Sequence, residues 1–258
     1  MILKYIAEST AKNILIHSGK NMYIKEILIL LVIFFANVVE AVSGFAGTML
    51  AMPFAIVLVG IKEAKVILNV VAVFVSLSIA VKNYHNIEKK EVLKICILML
   101  PGMALGLFLF SLLPIKVLSI IYGIFIILVA IRGLTVKKEI VFPGWLLIAV
   151  IVCAGIIHGL FLSGGALLVL YAVTILKDKS VIRATLAPVW LILNLMILVR
   201  DVVMNNFTLH IILLLPICLS AAALALFFGN KLHKRINQNS FVKLTYILLI
   251  ISGVVLLV

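Results

Sequence analysis

The chain alternates long apolar runs with short polar breaks. The first run, 27–61, holds about 35 residues and a single ionisable side chain, Glu40. As one straight helix it would be about 52 Å long, well beyond a hydrocarbon core of about 30 Å. Gly44, Gly47 and Pro53 interrupt it, in the stretch E-A-V-S-G-F-A-G-T-M-L-A-M-P at 40–53. A break is predicted there, and a break at membrane depth frees backbone groups that lipid cannot satisfy. The construction returns at 158–171, H-G-L-F-L-S-G-G-A-L-L-V-L-Y, inside a second long run, 145–176, broken at Ser163, Gly164 and Gly165.

Between and after these runs the pattern predicts plain spans over 66–81, 95–113 and 117–131, then 183–199, 211–228 and 241–258. Charged loops are read at 62–65, 82–94, 132–144, 177–179, 200–207 and 229–238. Sliding the chain on itself by 118 residues places Gly47 on Gly165, Glu40 on His158, Lys65 on Arg183 and Lys82 on Arg200. The expected fold is therefore an all-α polytopic membrane protein of two homologous repeats. Each repeat is a glycine-broken helix plus three transmembrane helices. Its units are a polar arm over 1–23, a first repeat over 24–134, a connecting loop over 135–144 and a second repeat over 145–258. If each broken run crosses once, there are eight crossings and parallel halves. If each crosses twice, there are ten and the halves are inverted. Three plain spans per half favour eight.

Composition agrees. The chain is 66% hydrophobic and 12% charged, where a soluble domain is about half apolar and a quarter charged. The net charge of +13 comes largely from Lys and Arg in loops and at span ends, where lipid headgroups and the positive-inside effect account for them. No basic patch sits on a polar fold, so a nucleic-acid partner is not expected. Cys96, Cys153 and Cys218 lie far apart in apolar runs, and buried small hydrophobes are the expected role; neither disulfide, metal site nor cofactor is expected.

The candidate chemistry lies at the two breaks. A helix restarting after a glycine presents unpaired N–H groups and the positive end of its dipole, which suits an anion. Ser43, Gly44, Gly47, Thr48, Ser163, Gly164 and Gly165 form the candidate anion site; the alternative is that the glycines only let helices pack closely. Glu40 and His158 are read as the ionisable residues well inside spans and are candidates for proton coupling. Otherwise Glu40 lies at the interface and His158 bonds a carbonyl. Asn69 and Asn194 are read as interhelical hydrogen-bonding groups, with substrate contact second. Lys82 and Arg200 close equivalent spans, as a cationic funnel or as snorkelling side chains. Trp145 reads as an interface anchor and Trp190 as a packing residue. Gly102-x-x-x-Gly106 suits close helix approach.

At Gly44-Phe45-x-Gly47…Pro53 and Gly159-Leu160-Phe161-x-x-Gly164-Gly165 the chain resembles the TauE/SafE family of sulfite and organosulfonate-type transporters. Ala64 and Ala184, opening the spans after the two breaks, fit the same pattern. The resemblance runs over about 24–257. The first signature has Gly47-Thr48 where the family carries consecutive glycines. The resemblance implies a multi-pass cell-membrane protein, a secondary transporter of a small sulfite-like or sulfonate-like anion, with the lipid bilayer as its other partner. No G-x-x-x-x-G-K-[ST] motif provides an ATP engine. The alternatives are a structural or assembly membrane protein, or an intramembrane enzyme. For the enzyme, His158 stands without H-E-x-x-H or a carboxylate pair, so none is expected.

Overall fold

The computed structural model describes residues 24–42, 46–135, 143–176, 178–233 and 238–257. The described residues are almost wholly helical, without strands, in ten α-helices. In chain order these are α1 (24–42), α2 (Gly47–Val59), α3 (Ile61–Lys82), α4 (Lys89–Leu112) and α5 (Ile115–Thr135). The second half continues with α6 (Gly144–Phe161), α7 (Gly165–Leu176), α8 (Lys179–Val203), α9 (Leu209–His233) and α10 (Gln238–Leu257). Helices α3, α4, α5, α6, α8 and α9 are long and apolar enough to cross a membrane. With 13 and 12 residues, α2 and α7 are about 20 and 18 Å long, too short to cross alone. Large apolar side chains such as Phe35, Phe108, Leu128, Leu213 and Phe227 stand exposed around the outside. That distribution suits a protein whose solvent is lipid. Trp145, 71% exposed at the start of α6, is placed as an interface anchor would be.

The broken runs do not continue in one direction. A Cβ on Gly164 would strike the carbonyl of Ala154 and the His158 side chain. A Cβ on Gly47 would strike the Glu40 side chain. Residues ten and seven positions apart can meet so only if the chain doubles back, since seven helical residues already advance about 10 Å. Each broken run is therefore a hairpin, α1–α2 and α6–α7. The single crossing per run, and with it the eight-crossing reading, is replaced by five helices in each half. The physical reason is that freed backbone groups find partners within the protein, as described below, and a straight continuation would leave them in lipid.

Two loop assignments also change. Lys62–Lys65 is the first turn of α3 and no loop. Gly60, at φ 81, ends α2 with its N–H on the Ile56 carbonyl, a left-handed conformation that glycine adopts without Cβ strain, so α3 starts at once. The charged stretch 82–94 shrinks to a short turn around a 3-10 segment, Tyr84–Asn86, before α4 begins at Lys89. Asp178 caps α8, accepting from the N–H groups of Ser180 and Val181 at 2.7 and 3.1 Å.

The closest packing joins α4 to α6. Gly102 and Gly106 lie against Val152 and Ile156, while Gly155 and Gly159 lie against Met99 and Met103. In all four cases an added Cβ would run into the facing backbone carbonyl. The G-x-x-x-G spacing on α4 thus meets a second one on α6, each serving as groove for the other. Gly123 of α5 and Gly253 of α10 face each other likewise, and Gly229 of α9 lies against Val38 and Ala41 of α1. Cys96 and Cys218 are buried as expected, but Cys153 is exposed on the outer face of α6, next to the side that carries these contacts.

A Gly155→Val substitution tests the interlock. It should lower stability by roughly 1–3 kcal/mol through overpacking, read as a lower unfolding temperature in detergent, whereas Gly144→Val, where an added Cβ meets nothing within 4 Å, should leave it nearly unchanged.

Candidate functional site

The start of α2 meets the turn between α6 and α7. Thr48 Oγ1, at the start of α2, donates to the Leu162 carbonyl at 2.9 Å. Leu162 stands in the left-handed region, φ 57, with its N–H on the His158 carbonyl at 2.8 Å. Such a conformation in a branched residue costs about 1–3 kcal/mol and persists only where neighbours over-determine it. Here it turns a backbone carbonyl outward to the opposite hairpin. Tyr122, fully buried in α5, joins the same junction. Its hydroxyl lies 2.6 Å from Ser163 Oγ and 3.2 Å from the Met49 carbonyl, and its ring stacks on Phe161 at 4.4 Å between centroids.

Beside this junction is a narrow cavity of about 20 Å³, room for the centre of one water-sized sphere. Glu40, Thr48, Ala72, Ser76, His158, Leu162, Gly165, Trp190 and Asn194 line it. These come from both hairpins and from the middle turns of α3 and α8, so the cavity lies near the midplane of the bundle. The polar atoms around it are incompletely paired. Neither ring nitrogen of His158, 1% exposed, has a hydrogen-bond partner, and the same holds for Asn194 Oδ1. Asn194 is within electrostatic reach of the imidazole, but the contact does not meet hydrogen-bond geometry. Trp190 packs its ring 5.2 Å from that of His158, so it is both packing residue and cavity wall. Buried unpaired groups clustered on one small cavity are unusual in a native protein and mark a place where a ligand or water completes the set.

The expected residues divide sharply. Glu40, Thr48, His158, Gly165 and Asn194 are brought together on the cavity. Gly47 and Gly164 stand behind it, each packed where a Cβ would not fit. Ser163 faces Tyr122 and donates to the Phe161 carbonyl at 2.9 Å, so its hydroxyl belongs to the junction. Asn69 donates to the Asn194 carbonyl at 3.2 Å, the interhelical role expected of it. Lys82 is exposed at the end of α3, and Arg200 bonds Asp201 Oδ1 at 3.3 Å; neither lines the cavity. Ser43 and Gly44, like the arm over 1–23 and most of the connecting loop, lie outside the described residues.

One expectation is altered in substance. The amino end of α2 was read as an open anion cradle. The Glu40 side chain already lies against that end, so close to Gly47 that no Cβ would fit, and the backbone of Gly47 and Thr48 acts on its carboxyl electrostatically. That end of the dipole is met by an internal carboxylate, while at the matching end of α7 the equivalent residue is the unpaired His158. Glu40 and His158 are also not the only buried ionisable groups. Lys65 is 4% exposed and Asp201 3% exposed. Lys65 Nζ donates to the Gly159 carbonyl and rests over the Phe110 ring at 3.9 Å. Arg183 is half-buried, bonds Asn230 Oδ1 at 3.0 Å and acts electrostatically on Glu40. The sequence did carry a signal for these two cations: Lys65 and Arg183 coincide under the 118-residue shift. It was masked by their position among the charges that flank span starts. Tyr122 had no signal in the sequence.

Six helices long and apolar enough to cross a membrane, with lipid-suited outer faces and two short broken helices between them, define the class: a multi-pass integral membrane protein. The family described as "Sulfite exporter TauE/SafE" matches residues 29–256, and the chain belongs to that family. Its members are membrane transporters of sulfur anions. No curated protein and no solved structure matches the chain.

Tyr122→Phe probes the junction. Loss of one hydroxyl shared by Met49 and Ser163 should destabilise by roughly 1–3 kcal/mol, because buried partners are left unpaired. A change below about 0.3 kcal/mol in the same unfolding measurement would mean that the two hairpins are held elsewhere.

Proposed function

We propose that the protein is a secondary transporter of a sulfite-like oxyanion, bound in the cavity between the hairpin turns. The observation that carries this reading is the cluster of unpaired His158 and Asn194 atoms beside the amino end of α7. The anion sits at that end, taking the N–H groups of Gly164 and Gly165, with His158 and Asn194 completing its shell. Gly47 and Thr48 enter the shell when Glu40 releases them. A helix end contributes up to about 2 kcal/mol when partly buried. Removing a charge from water costs several kcal/mol more, so side-chain donors are required as well. The cavity is narrower than an oxyanion, and loading therefore parts the two turns.

Glu40 gives this carrier its coupling. A carboxylate about 5 Å from a bound anion, at an effective dielectric of about 20, repels it by roughly 3 kcal/mol. Protonation removes that repulsion and weakens the hold of Glu40 on the α2 end. Proton and anion then travel together. We infer also that the halves are inverted repeats. Five helices per half reverse the second half relative to the first. The packing pairs exchange accordingly: α4 on α6 answers to α9 on α1, and α3 on α9 answers to α8 on α4. Unit boundaries near 24–134 and 145–258 follow from that relation.

Sulfite flux into proteoliposomes tests the site. Gly165→Leu should reduce flux at least about 100-fold with the protein still folded, as judged by gel filtration; normal flux would leave the glycines with packing alone. Glu40→Gln keeps an oxygen for the Gly47 and Thr48 N–H groups but cannot carry the proton. It should bind sulfite and lose the response of flux to an imposed proton gradient. A Glu40→Gln protein still driven by the gradient would remove Glu40 from the coupling and leave the anion site untouched.

A further inference from the structure

Lys65 sits four residues inside α3 with almost no exposed surface. The carbonyl it bonds, that of Gly159, belongs to the last turn of α6, where no helical N–H is available to it. The ammonium thus caps the negative end of the α6 dipole, and the face of Phe110 adds a cation–π contact. Among the described residues no carboxylate lies within ion-pair distance of it; the acid that acts on it from farther away is Asp201. One oxygen of Asp201 accepts from Arg200 Nη1 and from Asn206 Nδ2, and the other has no partner. The field of Lys65 reaches the imidazole of His158, one residue from its bonded carbonyl. Its counterpart Arg183 acts instead on Glu40, an internal carboxylate. The two cations therefore differ: half-buried Arg183 faces a built-in anion, and buried Lys65 stands behind the hairpin turn where an anion is to bind.

We propose that Lys65 is a positioning residue that, in its ammonium form, supplies positive charge to the anion site from behind the α6–α7 turn, without touching the anion. The inference rests on the reading of the cavity as an anion site. The bond to Gly159 sets where the turn stands, and the charge acts through the turn on whatever lies beside His158. A buried charge is screened little over such a distance. The ligand class follows: a small oxyanion is favoured over a neutral isostere by this charge, and Asp201 tempers the preference.

Two variants separate charge from scaffold. Lys65→Gln retains a donor for the Gly159 carbonyl and removes the charge. Asp201→Asn retains an oxygen for Arg200 and Asn206 and removes the negative charge acting on Lys65. Sulfite Kd on the purified protein and sulfite KM in proteoliposomes should both rise about tenfold in Lys65→Gln and fall about threefold in Asp201→Asn, from Coulomb's law at protein dielectric. Maximal flux should stay within about twofold in each. A scaffold role gives no such pair of opposite signs. Unchanged Kd in both variants, or a shift in the same direction, overturns the proposal. If Lys65→Gln does not fold, Asp201→Asn decides alone, and an unchanged or raised Kd overturns it. Absence of sulfite binding by the wild-type protein would instead sink the anion site itself; wild-type binding with two unshifted variants sinks only the role of Lys65.

Discussion

A helix cannot stop inside a membrane unless its freed backbone groups find partners within the protein. Most of the interior of this molecule follows from that constraint. Each hairpin turn is completed by something from elsewhere in the chain. The Leu162 carbonyl takes the Thr48 hydroxyl. The Gly159 carbonyl takes Lys65, and within the first hairpin the Glu40 side chain lies against the amino end of α2 at Gly47. Tyr122 ties the first return arm to the second turn. The turns are thus mutually dependent, and the left-handed Leu162 is held by contacts that exist only once both hairpins are in place.

Glycine makes this geometry reachable. The four glycines between α4 and α6 bring two backbones to within contact of each other. In lipid no hydrophobic force draws helices together, so close backbone packing has to supply the association. The same contacts fix α6 against α4 along its length and so set the depth at which its turn stands. Packing and site are therefore not rival uses of glycine in this chain. Gly102, Gly106, Gly155 and Gly159 position the hairpin, and Gly165 opens its return arm onto the cavity.

The polar content of the interior is small and unevenly matched. The α2 amino end faces a carboxylate, whereas the α7 amino end faces an unpaired imidazole. The two helix starts thus differ in what stands beside them. The family of sulfur-anion transporters to which the chain belongs accords with an end that still seeks negative charge.

Hydropathy reports, residue by residue, whether a side chain meets lipid or water. For that reason the sequence alone determined the helical membrane class, the plain spans that became α3, α4, α5, α8 and α9, the break at Ser163–Gly165 and the helix restart at Gly47. It also made the family recognisable. Direction after a break is a different kind of quantity. Whether a chain continues or doubles back depends on which neighbour satisfies its freed carbonyls, and that neighbour is more than a hundred residues away for Thr48 and Leu162. Likewise the charge of Lys65 reads from sequence as the edge of a span, since an edge is where lysines usually stand. Only the tertiary structure brought Gly159 and Phe110 to it and closed it off from solvent. The capture of the α2 end by Glu40 was hidden for the same reason: a sequence gives the spacing of residues 40 and 47, and a fold decides whether the chain between them turns.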